Sequence, residues 1–252
     1  MSRDQPGSDT ERGDAGAPAR PAAIATEPEG QTRKGRFIVI EGGDAAGRST
    51  QVRRLLPWLE ELGWPAVHVG IGRSKLAERP LRDWQAAPES GVHALALLYA
   101  ADLHDQVEQR ITAALDAGFA VVADRWVGTV MARCSLRGAN PDWLRAILPL
   151  TPEPDCTLYL QASPRVRLAR AIAKRGLPSF IESGRDLGIG GDPLRSFLRY
   201  QDMLDRNQRQ LGATFGGRWQ SVTADDTADN VQDVLRQALA HLLVAPAVDT
   251  DG

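Results

Sequence analysis

Between Phe37 and Thr50 the chain reads FIVIEGGDAAGRST, with Gly42 and Gly47 at the spacing of G-x-x-x-x-G-K-[ST]. Such a loop binds phosphate. Its glycines let backbone N–H groups converge on phosphate oxygens, and the helix behind it adds the positive end of its dipole. Gly42, Gly43, Asp44, Ala45, Ala46, Gly47, Arg48, Ser49 and Thr50 are therefore the candidate cradle for bound phosphates, and Ser49 stands where a hydroxyl ligates Mg²⁺. The lysine position holds Arg48, which keeps the charge on a longer, planar head. Only Lys34, Lys75 and Lys174 are lysines among the 30 basic residues, so a general bias toward arginine is enough to explain the exchange.

Asp44 is awkward inside a phosphate loop, because a carboxylate facing phosphates repels them. It makes sense if it turns to a sugar hydroxyl of a second substrate; the plainer alternative is an Asx-type turn. A second acid–base pair, Asp124-Arg125, follows the apolar run Phe119–Ala123 and precedes Trp126. At the C-terminal end of a strand this pair lies at the crevice where open α/β sheets bind ligands. Asp124 would hold Mg²⁺ or its waters, and Arg125 would fork onto a phosphate. The competing assignment is a structural ion pair.

The elements that must position these groups alternate along the chain. Apolar, β-branched runs at Phe37–Ile40, Ala66–Ile71, Phe119–Ala123, Cys156–Leu160 and Trp219–Val222 suit strands covered on both faces, hence a parallel sheet. Helical patterns lie between them. Gln51–Leu62 carries Val52, Leu55, Leu56 and Leu59 on one stripe and stops at Gly63; Val92–Ala117 stops at Gly118. Asn140-Pro141 and Ser163-Pro164 read as helix caps followed by proline at the first position, and Pro193–Leu211 and Thr227–Leu243 complete the set. The pattern predicts an α/β domain with a five-stranded parallel sheet flanked by helices, over 35–245. Residues 1–34 are rich in Gly, Pro, Ala and charge and are expected to be a disordered tail, and 246–252 a short one. The glycine-rich stretch 175–192 has the length of a functional lid or of a disordered loop.

Composition excludes some classes. The 252 residues carry a net charge of −2, so no global basic surface argues for nucleic acid or membrane binding. No apolar run approaches the roughly 20 residues of a membrane span, and the N-terminal segment has no signal-peptide core. Cys134 and Cys156 form no C-x-x-C pattern and are read as reduced thiols. A cytoplasmic protein is expected.

With these motifs in place the chain resembles the thymidylate kinase family of P-loop nucleoside monophosphate kinases, over Gly35 to Leu243. The matching pieces are FIVIEGGDAAGRSTQ, LLYAAD, GFAVVADRW, CTLYLQASPRVRLARAIAKRG and VTADDTADNVQDVLRQAL. The resemblance implies ATP- and Mg²⁺-dependent phosphoryl transfer to a nucleoside monophosphate, dTMP by analogy, on a homodimer with a lid. It implies phosphate and Mg²⁺ contacts from Gly42, Gly47, Ser49 and Thr50, with Asp124 at the metal. On the acceptor side it implies Asp44 at the sugar and Arg125 at the phosphate, with Arg73, Asp102, Thr129 and Arg133 nearby.

The departures from the family cluster at the same pocket. Arg48 replaces lysine. The lid arginine expected after Arg175-Gly176 is missing, and that place reads Ser179-Phe180; Arg185 is the candidate replacement from the lid. Leu103 stands where an arginine follows the helix acid, and Arg133-Cys134 replaces a Tyr-Gln pair on the thymine side. Two further readings therefore stand beside the kinase: a nucleotide-binding paralogue without useful catalysis, and a kinase for a different nucleotide or small phosphorylated acceptor.

Overall fold

The computed structural model describes residues 35–86, 91–149, 151–212 and 217–243, all within the compact unit Arg33–Gly252. The tails expected over 1–34 and 246–252 lie outside the described residues.

Strands β1 (Arg36–Gly42), β2 (Ala66–Gly70), β3 (Ala120–Asp124), β4 (Cys156–Gln161) and β5 (Arg218–Thr223) form one sheet of order β2-β3-β1-β4-β5. Every pairing is parallel, and Ile40 of β1 pairs with Asp124 of β3. The five runs chosen by residue type are these strands, within a residue or two at each end. Alternation along β1 divides it between two cores. Phe37 and Val39 face the helices on one side, and Ile38 and Ile40 those on the other. Each such side chain, fully buried, contributes roughly 1.5–3 kcal/mol, which is why a central strand reads as a continuous apolar run.

Helix α1 (Arg48–Glu61) begins at Arg48, three residues earlier than its apolar stripe suggests. It ends as expected. Gly63 takes φ 84°, Trp64 N–H donates to Leu59 O at 2.9 Å and Gly63 N–H to Glu60 O at 2.9 Å, a Schellman closure. The expected caps are present. Asn140 accepts from Asp142 N–H at 2.7 Å ahead of α6 (Pro141–Ile147), and Ser163 accepts from Val166 N–H at 3.4 Å ahead of α7 (Pro164–Arg175). The long pattern from Val92 is α3 (Val92–Gln106), a π-helical turn (Val107–Ile111) and α4 (Thr112–Asp116) in series. Helices α8 (Pro193–Gly212) and α9 (Ala228–Ala240) match their patterns.

Two helices have no counterpart in the sequence reading: α2 (Glu78–Ala86) and α5 (Val127–Leu136). Helix α5 is buried from Val127 through Cys134. A helix covered on all sides shows no amphipathic stripe, so periodicity cannot reveal it.

The stretch 175–192 is ordered and lies on α8. Ser179 and Glu182 cap one another, Ser179 N–H to Glu182 Oε2 at 3.1 Å and Glu182 N–H to Ser179 Oγ at 3.2 Å. A 3₁₀ turn (Arg185–Leu187) follows. Ser196 Oγ donates to Ser183 O at 2.7 Å, and Arg137 Nε to Asp186 Oδ2 at 2.7 Å.

Candidate active site

The phosphate-binding loop leaves the central strand β1 and turns into α1, beside the end of β3. Gly42 takes φ 143°, and a Cβ there would lie 2.8 Å from Leu160 O. Gly43 is glycine for space alone: a Cβ would meet Arg167 Nη1 at 1.4 Å. Arg167 is fully buried beneath the loop, paired with Asp205 at 2.5 Å. Ala45 adopts a left-handed φ of 61° and Arg125 one of 69°, a conformation that costs a non-glycine residue about 1 kcal/mol or more. Both lie at the site, where surrounding contacts hold the backbone against that cost.

Arg48 reaches back over the loop. Its Nη1 donates to Gly42 O and Gly43 O, and its Nε lies 3.1 Å from Asp124 Oδ1. Ser49 Oγ donates to Asp124 Oδ2 at 2.6 Å. Burial works against charge on Asp124, but Arg48, Arg125 and the Ser49 hydrogen bond outweigh it and hold its carboxyl below the usual range. The hydroxyl and carboxylate that the sequence pairs as Mg²⁺ holders are thus in direct contact.

Asp44 is held on both carboxylate oxygens. It is 3% exposed. Oδ1 accepts from Arg125 Nη2 and from Arg133 Nη2, the latter at 2.8 Å, and Oδ2 accepts from Gln201 Nε2 at 3.0 Å. Burial alone would raise its pKa; Arg133, Arg125 and Arg48 reverse that and hold it far below the usual carboxylate range. Arg125 itself is pushed down to about 10 by burial and by Arg48 and Arg133. Three guanidiniums, Arg48, Arg125 and Arg133, therefore share two carboxylates, Asp44 and Asp124. The excess cation is relieved by any anion that joins them.

A cleft of 540 Å³ opens onto the loop from Asp44 through Gln51, with Arg125, Gln85, Ala224, Asp226 and Val231 on its walls. Helix α7 and the stretch after it add Arg170, Lys174, Arg175 and Glu182. Five cationic side chains thus face three carboxylates there, Asp44, Glu182 and Asp226. The α7 cations were missed as site residues. Their signal was the spacing of Arg170 and Lys174, four residues apart and so on one helix face.

The other expected site residues do not line this cleft. Arg185 is exposed with its guanidinium 5.4 Å from the Phe180 ring centre, and it is not on the cleft wall. Thr129 is buried. It donates through Oγ1 and N–H to Glu41 and accepts from Gln208 Nε2 at 2.9 Å, which leaves it no face for an acceptor. Asp102 is fully buried and accepts from Gly72 N–H at 2.7 Å and Ser74 N–H at 2.9 Å, so it shapes the turn after β2. Arg73 is exposed on that turn. Arg133, expected on the acceptor side, is paired with Asp44.

Glu41 was also missed. It is 1% exposed in β1, and its Oε1 accepts from Trp126 N–H and Thr129 N–H at 3.0 Å each. It caps α5 and sets the chain that carries Arg125 and Arg133. Burial raises its pKa. Cys134 and Cys156 are free and buried, and burial pushes their thiols up to about 12 and about 11.

Parallel sheet, glycine loop, hydroxyl–carboxylate pair and cationic cleft together define a P-loop phosphotransferase of the nucleoside monophosphate kinase class. The family described as thymidylate kinase matches residues 40–186, more than half of the chain, and the chain belongs to that family. It is 31% identical to the thymidylate kinase of Cutibacterium acnes over 221 residues, 83% of this chain and 98% of the relative. To the thymidylate kinase of Rhodopseudomonas palustris (strain TIE-1) it is 29% identical over 234 residues, 89% of this chain and 96% of the relative. The probable thymidylate kinase of Pyrococcus abyssi is 29% identical over 153 residues, 58% of this chain and 75% of the relative. Among the described residues no helix is long and apolar enough to cross a membrane.

Proposed function

We propose that the chain transfers the γ-phosphoryl group of ATP to a nucleoside monophosphate, with Mg²⁺ as cofactor. The observation that carries this is the cleft over the loop, where Arg48, Arg125, Arg170, Lys174 and Arg175 outnumber the carboxylates. A polyphosphate chain supplies the anions such a surface lacks. The family membership agrees with it.

The donor set fits Mg²⁺. A serine hydroxyl and a carboxylate are hard oxygen ligands, and they meet at 2.6 Å. Among the described residues no group of three or more acidic, His or Cys side chains forms a metal cage, which suits an ion held largely by substrate phosphates and water. Ser49 and Asp124 would hold it. When bound, Mg²⁺ offsets charge on the phosphates and polarises the one that is transferred.

The chain's own residues do the rest by positioning and electrostatics. Arg48 fixes the loop carbonyls and neutralises Asp124. Arg125 faces the acceptor phosphate from a backbone that holds its fork in one direction. Asp44 offers its remaining lone pair, on Oδ2, to a sugar hydroxyl, since three of about four acceptor positions are taken. Arg170, Lys174 and Arg175 supply the positive charge that the lid position at Phe180 does not.

A second reading concerns the acceptor. Arg133, buried against Asp44 with Nη1 at 3.5 Å from Tyr99 Oη, stands with Cys134 in place of the family's Tyr-Gln pair, and this exchange favours an acceptor other than dTMP. The family membership favours a homodimer through helices, and the two free thiols suit the reducing cytoplasm.

ADP formation from ATP and Mg²⁺, measured over a panel of nucleoside monophosphates and deoxynucleosides, tests the reading. Turnover with dTMP supports the first form, and turnover restricted to another acceptor the second. Intact ATP binding without turnover, in both the native chain and Arg48→Lys, would instead support the nucleotide-binding paralogue.

A further inference from the structure

Gln201 of α8 is fully buried, 157 residues from Asp44, and uses its amide completely. Oε1 accepts from Asp44 N–H at 3.1 Å and from Arg167 Nη1 at 2.8 Å. Nε2 donates to Asp44 Oδ2 at 3.0 Å and to Glu182 O at 3.1 Å. A glutamine amide has two donor protons and two acceptor lone pairs, and all four are spent. Asp44 takes one of each, so the amide cannot be flipped without breaking both bonds.

The four partners belong to different parts of the machine. Asp44 is the loop acid of the proposed acceptor side. Glu182 is the lid residue whose carboxylate pairs with Arg175 on the cleft wall. Arg167 is the buried cation against which Gly43 packs. One continuous chain of contacts therefore runs from Arg175 through Glu182 and Gln201 to Asp44 and Arg125. A buried amide deprived of one partner pays its desolvation without compensation, so its bonds to loop and lid hold or fail together.

We propose that Gln201 is a positioning residue that fixes the carboxylate of Asp44 and docks the lid at Glu182 as one event. What happens to Asp44 is thereby felt at the lid. The role of Asp44 toward an acceptor rests on the kinase reading above; the coupling itself does not.

Hydrogen exchange on the full chain tests the coupling without substrate. The readout is the set of lid amides that close backbone turns, Ser183, Gly184, Arg185, Leu187 and Gly188. Gln201→Met keeps the volume and removes the amide, and it should speed exchange at these positions about tenfold. Asp44→Asn should speed the same amides about threefold in the native chain and by nothing further in the Gln201→Met background, because the connection is already cut. Independent effects that multiply in the double variant would overturn the proposal.

Should Gln201→Met fail to fold, Gln201→Glu keeps both acceptor bonds and deletes both donor bonds. It should loosen the lid amides while leaving the Asp44 amide protected; equal protection of both in this variant counts against the idea. In steady-state assays with ATP and dTMP as probes, Gln201→Met should raise the KM for dTMP about tenfold and leave that for ATP within about twofold. A merely structural role would lower the melting temperature and move the two constants alike. Absence of dTMP turnover in the native chain would strike dTMP as the acceptor, and absence of turnover with every acceptor of the panel the kinase reading itself, while the exchange cycle still decides the coupling.

Discussion

Arg48 and Asp124 meet at 3.1 Å, Nε to Oδ1, across the gap between the start of α1 and the end of β3. The contact explains how arginine is accommodated at a position where the motif has lysine. The longer head folds back over Gly42 O and Gly43 O and leaves Nε for Asp124. Arg48→Ala is expected to cost about 3 kcal/mol of stability, because Asp124 keeps its burial and loses its closest cation. Arg48→Lys should cost about 1 kcal/mol, since an ammonium satisfies some of these acceptors but lacks the fork. Urea unfolding of the two variants checks this, and an alanine variant as stable as the native chain would refute it.

The left-handed φ of 69° at Arg125 allows its backbone and its charge to be separated. Arg125→Ala and Arg125→Gly remove the same guanidinium from Asp44, but only alanine retains a Cβ in the strained region. The glycine variant should be more stable than the alanine variant by about 1 kcal/mol, and both should lose acceptor turnover by about 10³-fold. Equal stability of the two would mean that the backbone there is not strained. Full activity in either would remove Arg125 from the acceptor side.

The sheet and most helices were legible in the sequence for definite reasons. Buried parallel strands are short and β-branched, and capped helices announce their starts through Asn140-Pro141 and Ser163-Pro164. Helix α5 was not legible because burial on every side erases the stripe. The loop motif was legible as a local spacing. The partners of its residues were not, since they come from far along the chain: Arg133 is 89 residues from Asp44, and Gln201 is 157. Glu41 did carry a signal, a carboxylate inside an apolar strand, which must have buried donors near it. Its donors, at the start of α5, required the fold.

His68, half-buried in β2, gives the chain a pH dependence separable from that of the acids. Burial, then Arg73 and Arg110, push its pKa down from 6.5 to about 4. The folded chain therefore resists a proton that the unfolded chain accepts. This stability is complete above pH 6.5 and is lost as pH falls toward about 4. The loss should amount to roughly 1–2 kcal/mol after allowance for the exposed half of the ring. As pH falls between those values, the unfolding midpoint of the native chain should drop relative to that of His68→Gln. Parallel curves would exclude His68 as the source.

Arg175 and Arg185 are ten residues apart by number and face different surroundings. Arg175 ends α7 on the cleft wall, paired with Glu182, whereas Arg185 stacks over Phe180 away from the cleft. A guanidinium acts on a transferring phosphoryl group only where it reaches the developing charge, and there it contributes about 10³-fold or more to the rate. Arg175→Ala is therefore expected to lower kcat by about 10³-fold. Arg185→Ala, which removes only a surface stacking contact, should leave kcat within about twofold. Steady-state rates of both variants with saturating ATP and acceptor decide between them. A large loss confined to Arg185→Ala would mean that the lid turns over during the reaction and that Arg185, not Arg175, replaces the arginine missing at Phe180.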